Sequence, residues 1–250
     1  MTGRPRYGLE VLIVLGLGFG RSAVYSLLSL LEKLTRPQQP LNQQTTTMNS
    51  SVVPDRPWLD LSYQVAGIVL PLFQALLVLY LLHLSHGRAR ALIGFDARRP
   101  VPDLLLGLGV AAGIGIPGLG FYLAARELGV NTSVAPANLA EHWWTVPTLV
   151  GLAAMNGIIE EVVMLGYLYV RFRDLGWSTW LVVGVSALIR GSYHLYQGFG
   201  GFAGNIIMGV VFGLVYLRLR RVMPLVVAHT AIDIAAFVGY ALAKPYLPWL

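Results

Sequence analysis

Three short runs in this 250-residue chain carry side chains that can move protons. The first is Asn156-Gly157-Ile158-Ile159-Glu160-Glu161. The second is Arg190-Gly191-Ser192-Tyr193-His194, and the third is His229 with Asp233 four residues on. A glutamate and a histidine can together take a proton from water. A second histidine beside a carboxylate can stabilise charge on an attacked carbonyl. That is the minimum equipment for hydrolysis without a covalent nucleophile. Cysteine is absent, which excludes a thiolate nucleophile and a disulfide framework. Serine chemistry fits poorly, because Ser192 lies two residues before His194 and on a helix would point to the opposite side. Taken singly, each run also suits a buried ion pair that fixes helix packing; the joint occurrence favours a site.

The spacing assigns provisional places. Adjacent helical residues diverge by about 100°, so Glu160 and Glu161 cannot both face one point. One can face a cavity while the other engages a neighbouring helix. Asn156 and Glu160 share a face, as do Arg190 and His194. Arg190 is the obvious partner for a glutamate, since an unpaired arginine in lipid is costly. Arg21 with Glu10 is read as a packing or interface feature, and His83 and His86 as interfacial residues at a helix end.

These runs must be positioned inside a membrane. The chain is 56% hydrophobic and only 12% charged, with mean hydropathy +0.64. Soluble domains carry about 25% charged residues. A net charge of +6 raises nucleic acid as a partner, but no basic face interleaved with aromatics accompanies it. The arginines instead cluster between apolar runs, as in cytoplasmic loops. The expected fold is all-α: a polytopic transmembrane bundle of about seven helices, spanning roughly 9–31, 60–84, 102–125, 146–170, 178–196, 201–217 and 223–243. The first is weakened by Arg21 and three serines, and the sixth is short. The Glu141–Trp144 region is an eighth candidate or an aromatic interfacial belt. The N-terminal stretch is read as a retained helix rather than a cleaved signal peptide.

With the N-terminus cytoplasmic, the arginine-bearing loops at 85–101, 171–177 and 218–222 all fall inside. The loop at 32–58 falls outside and is expected to be polar and flexible. Gly16/Gly20, Gly109/Gly113 and Gly209/Gly213 are read as close-packing positions within one bundle. By these spans His194 lies toward the outer face and His229 near the inner one, so tilted or later-starting helices are required to bring them together.

The ordered trio of motifs resembles the CPBP family of intramembrane proteases, which includes CAAX prenyl-protein endopeptidases and bacterial bacteriocin-processing, Abi-like proteins. That family carries Glu-Glu-x-x-x-Arg, Phe-x-x-x-His and His-x-x-x-Asn/Asp on separate transmembrane helices. Glu160-Glu161, His194 and His229 with Asp233 fill the central positions. The family's arginine falls on Leu165 and its aromatic on Arg190, so Arg190 is expected to supply the cation from the next helix, to Glu161. The resemblance covers about residues 90–243. It implies residues 1–101 as N-terminal transmembrane helices and loops, and 102–250 as a protease core.

By resemblance, Glu160 with His194 activates water and His229 with Asp233 stabilises the oxyanion, while Glu161, Arg190 and Asn156 support them. No cofactor is favoured, although Glu160, His194 and His229 are a conceivable Zn²⁺ ligand set. The expected partners are a membrane-associated protein or peptide substrate and the lipid bilayer, not nucleic acid, with the oligomeric state open. The expected location is the plasma membrane of a bacterium. Two rivals remain: a catalytically inactive scaffold of the same fold, and a proton-coupled transporter.

Overall fold

The computed structural model describes residues 6–243 and Tyr246. Among the described residues, six helices are long and apolar enough to cross a membrane: Tyr7–Leu34, Pro57–His86, Pro100–Glu127, Thr145–Asp174, Phe199–Leu219 and Met223–Ala243. A seventh apolar helix, Thr179–Ser192, is shorter. The chain is an all-α, multi-pass membrane bundle. In order along the sequence, these are called here the first to the seventh helix, with Thr179–Ser192 the fifth.

Local chemistry sets the ends. Pro57 and Pro100 sit in the first turns of the second and third helices, where a missing N–H costs nothing. The Ser178 hydroxyl caps the fifth helix by accepting from the Leu181 amide. Pro71 interrupts the second helix between Val69 and Leu72. π-Turns occur at Gly16–Gly20 in the first helix and Val162–Tyr167 in the fourth. The second begins directly after Glu161, and such turns cluster at functional sites.

The fourth helix is the axis of the bundle. Of its most apolar window, 61% is buried, against 6% to 28% for the other five long helices. Lipid is as apolar as leucine, so association rests on close packing. Gly157 and Gly209 permit it. A Cβ on Gly157 would lie 2.5 Å from Thr230 Oγ1 and 3.0 Å from the Val226 carbonyl. One on Gly209 would lie 2.9 Å from Ala187 Cα and 3.3 Å from Arg190 Cδ. The first contact brings the His229-bearing seventh helix onto the fourth; the second seats the Arg190-bearing fifth helix on the sixth. Of the other spaced glycines, Gly213 also packs tightly, but Gly16, Gly109 and Gly113 face open space, so they are not packing positions in this chain.

Three further expectations are corrected. The short span is the fifth and not the sixth: its 14 residues extend about 21 Å at 1.5 Å per residue, against a hydrocarbon core of about 30 Å. The Glu141–Trp144 region forms no eighth helix; residues 141–144 are loop and turn before Thr145. Trp144 there packs on Trp58 and Trp143 at 4.8 and 5.3 Å between ring centroids. The 32–58 segment is partly ordered by pairing: strand β1 (Thr45–Thr47) runs parallel to strand β2 (Ser133–Ala135) with Thr46 opposite Val134. This small ribbon lies at one end of the bundle.

The opposite, basic end carries two charge clusters. Arg221 binds Asp103 at 2.5 and 3.1 Å and the Asp96 carboxylate at 3.1 Å. The Arg98 backbone N–H, followed by the Arg221 guanidinium, holds the Asp96 carboxyl below the usual carboxylate range. Arg171, read from sequence as a loop residue, is buried at the end of the fourth helix and binds Glu10 at 2.7 Å. Glu10 therefore pairs with Arg171 and the Tyr167 hydroxyl. Arg21 lies over the Tyr25 ring instead.

Candidate active site

The two glutamates of the fourth helix part as helical geometry requires. Glu161 turns inward and its side chain is 0% exposed. Arg190 Nη2 donates to both of its oxygens at 2.8 Å, and His229 Nδ1 lies 2.7 Å from Oε1. Glu160, 13% exposed, turns toward open space. It accepts from the Tyr193 hydroxyl at 2.6 Å and, more weakly, from Arg190 Nη1 at 3.4 Å.

The short fifth helix explains how His194 reaches the same depth. The helix ends at Ser192, and the chain turns back through a 3₁₀ turn at Leu195–Gln197 while still within the bundle. His194 Nδ1 is 3.0 Å from the Arg190 carbonyl oxygen. A carbonyl only accepts, so the proton sits on Nδ1 and Nε2 is left with its lone pair in the neutral ring. Arg190 thus acts twice: its guanidinium neutralises Glu161 and its carbonyl sets the tautomer of His194.

On the seventh helix, His229 Nδ1 must likewise carry a proton, because a carboxylate is acceptor-only. Its Nε2 lies 3.8 Å from Asp233 Oδ1, and Asn156 Nδ2 donates to Asp233 Oδ2 at 3.0 Å. Asn156 therefore serves Asp233 rather than Glu160, although it shares the latter's helix face.

A cavity of about 1900 Å³ opens among these groups. Asn156, Glu160, Tyr193, His194, His229 and Asp233 line it, while Glu161 and Arg190 stand behind the wall. All seven side chains singled out from sequence thus converge. No hydrogen bond joins Glu160 directly to His194 among the described residues, which leaves both free to face a molecule in the cavity. Tyr193 was missed. Its signal was present, an aromatic beside the histidine in Arg190-Gly191-Ser192-Tyr193-His194, but the family pattern directs attention to position 190. Phe19 of the first helix, 4.8 Å from the Tyr193 ring between centroids, had no comparable signal.

Among the described residues, no group of three His, Asp or Glu side chains is placed to hold a metal ion. Both Nδ1 atoms are committed to protein acceptors. The Zn²⁺ set considered from sequence, Glu160, His194 and His229, is not gathered into such a group in this structure, although each ring keeps its Nε2 directed away from these acceptors.

Residues 142–235 match the family model described as Type II CAAX prenyl endopeptidase Rce1-like. No curated protein and no solved structure matches the chain. The matched segment runs from just before the fourth helix to the middle of the seventh and contains every residue of the site named so far except Phe19. That segment is similar to the CAAX-type endopeptidase family, and six membrane-length apolar helices among the described residues make the chain an integral multi-pass membrane protein.

Proposed function

We propose that this chain is an intramembrane endopeptidase that hydrolyses a peptide bond with water activated by Glu160 and His194. The carrying observation is the division of labour between the glutamates. Glu160 faces the cavity that His194 and His229 also line, while Glu161 is neutralised behind it by Arg190. Water held between Glu160 and the free Nε2 of His194 gives up a proton to Glu160 as its oxygen attacks the scissile carbonyl. The electron pair of the C=O bond moves to oxygen, where His229, carrying a proton on Nε2 as well as on Nδ1, donates to the charge. Collapse re-forms the carbonyl and breaks the C–N bond, and the proton passes from Glu160 to the leaving amine. Asn156 and Asp233 hold His229 in orientation.

The substrate is a membrane-associated protein or peptide entering from the bilayer. The chain lies with its basic end cytoplasmic, consistent with the arginines at that end, and a bacterial plasma membrane is the proposed location. The scaffold alternative calls for Glu160 closed off in a tight ion pair with Arg190. The 3.4 Å contact and the open cavity argue against it. The test is purified protein with a peptide library, wild type against Glu160→Gln. Cleavage lost in the variant supports the mechanism, and equal cleavage by both overturns it.

A further inference from the structure

The turn that carries Tyr193 and His194 is held from outside the segment that matches the family. A turn inside a bundle leaves carbonyls without onward helical partners, and in a bilayer each unsatisfied backbone group costs several kcal/mol. Tyr196 and Gln197 present such carbonyls. Lys33, near the end of the first helix and only 9% exposed, points its ammonium at the first of these. Lys33 Nζ donates to the Tyr196 carbonyl and to Thr46 Oγ1, the latter at 2.8 Å. Thr46 Oγ1 is 2.7 Å from Thr132 Oγ1, which donates to the Gln197 carbonyl at 3.0 Å. An ammonium only donates and a carbonyl only accepts. Thr46 Oγ1 also lies 3.2 Å from the Tyr196 carbonyl, so its proton serves either Thr132 or that carbonyl, and by both routes the chain of donors runs from Lys33 to the carbonyls of the turn.

Backbone groups complete the clamp. The Thr132 amide donates to the same Gln197 carbonyl at 2.9 Å, and the Tyr196 amide donates to Ser26 Oγ of the first helix at 2.7 Å. Thr46 belongs to strand β1, and Thr132 immediately precedes strand β2. Two three-residue parallel strands are not self-supporting, so the ribbon and the turn stabilise each other through this buried chain. No carboxylate pairs with Lys33 among the described residues; its charge is spent on the turn.

We propose that Lys33, acting through Thr46 and Thr132, is a positioning residue that holds the Tyr193–His194 turn against Glu160. The inference rests on the hydrolase reading for its kinetic consequence, but not for its structural one. It is tested on the full chain in lipid vesicles with Lys33→Met, Lys33→Arg and the near-isosteric Thr132→Val. Hydrogen exchange read by mass spectrometry over residues 193–198 should accelerate about tenfold in Lys33→Met and Thr132→Val, with the fourth helix unchanged. On a cleaved peptide, kcat should fall about a hundredfold for displaced catalytic groups, with KM within about twofold. Lys33→Arg should restore most of both. Unchanged exchange in the turn of both Lys33→Met and Thr132→Val overturns the clamp, as does a loss confined to KM. If Lys33→Met does not fold, Thr132→Val decides alone. If wild type cleaves nothing, the hydrolase reading fails, while the exchange measurement still decides the clamp.

Discussion

Two buried arginines, each 1% exposed, organise two clusters of nearly the same composition. Arg171 gathers Glu10, Asp174, Ser85 and the Leu81 carbonyl, with Tyr167 bonded to Glu10 and His86 at 3.5 Å from Asp174. Arg190 gathers Glu161 and Glu160, with Tyr193 bonded to Glu160 and His229 to Glu161. Arginine, two carboxylates, tyrosine and histidine occur in both. The difference is what lies beyond them. None of Glu10, His86, Tyr167, Arg171 and Asp174 lines the cavity, whereas Glu160, Tyr193 and His229 do. The first cluster ties the ends of the first, second and fourth helices together. The second keeps one carboxylate satisfied and turns the other toward space large enough for a peptide segment. Residue chemistry alone therefore does not separate a lock from a site.

The strongest way to break this contrast is at the carboxylates. Glu160→Gln should lower kcat about 10²- to 10⁴-fold, the usual range for a lost general base. Glu10→Gln should leave turnover per folded molecule unchanged. Both are read by peptide cleavage normalised to correctly folded protein. Next come the arginines. Arg190→Leu leaves Glu161 buried without its cation and should cost about 3–5 kcal/mol, with cleavage abolished. Arg171→Leu should also lower the melting temperature, yet its folded fraction should still cleave. An Arg190→Leu variant that folds and cleaves normally would remove Arg190 from the site.

A smaller effect is expected at Asp233. Asn keeps an oxygen to accept from Asn156 and adds a donor, so Asp233→Asn should change kcat by less than about tenfold, the order of one neutral hydrogen bond. A larger loss would show that the negative charge itself is needed beside His229. The smallest effect belongs to the basic end. The carboxyl of Asp96 is held low by the Arg98 amide and Arg221. A lowered folded-state value stabilises above the unfolded value and is lost as pH falls through the folded one. Acid titration of thermal stability should therefore show a modest decline below about pH 4, reduced in Asp96→Asn, with cleavage chemistry at neutral pH untouched.

Much of the site was readable because intramembrane charges are few. Glu160, Glu161, Arg190, His194, His229 and Asp233 stand out against leucine and valine, and helical spacing separates Glu160 from Glu161. Asn156 was placed on the face of Glu160, but its partner Asp233 was not legible, since spacing along one helix says nothing of the helix opposite. Lys33, Thr46 and Thr132 carried no signal. They are ordinary polar residues of helix ends and loops until the fold closes them around a turn 65 to 163 residues away in sequence.

The depth conflict between His194 and His229 shows the same limit. Hydropathy extends the fifth span through His194, yet the helix stops at Ser192 because the turn beyond it finds its hydrogen-bond partners in Ser26, Lys33 and Thr132. By itself the sequence determined the solvent, the helical architecture and the inventory of proton-moving groups, for these follow from composition and local period. Which carboxylate faces the cavity and which is neutralised behind it, and which of two similar clusters opens onto space, was decided only by tertiary packing. Those outcomes depend on contacts between helices, and such contacts leave no period in the chain.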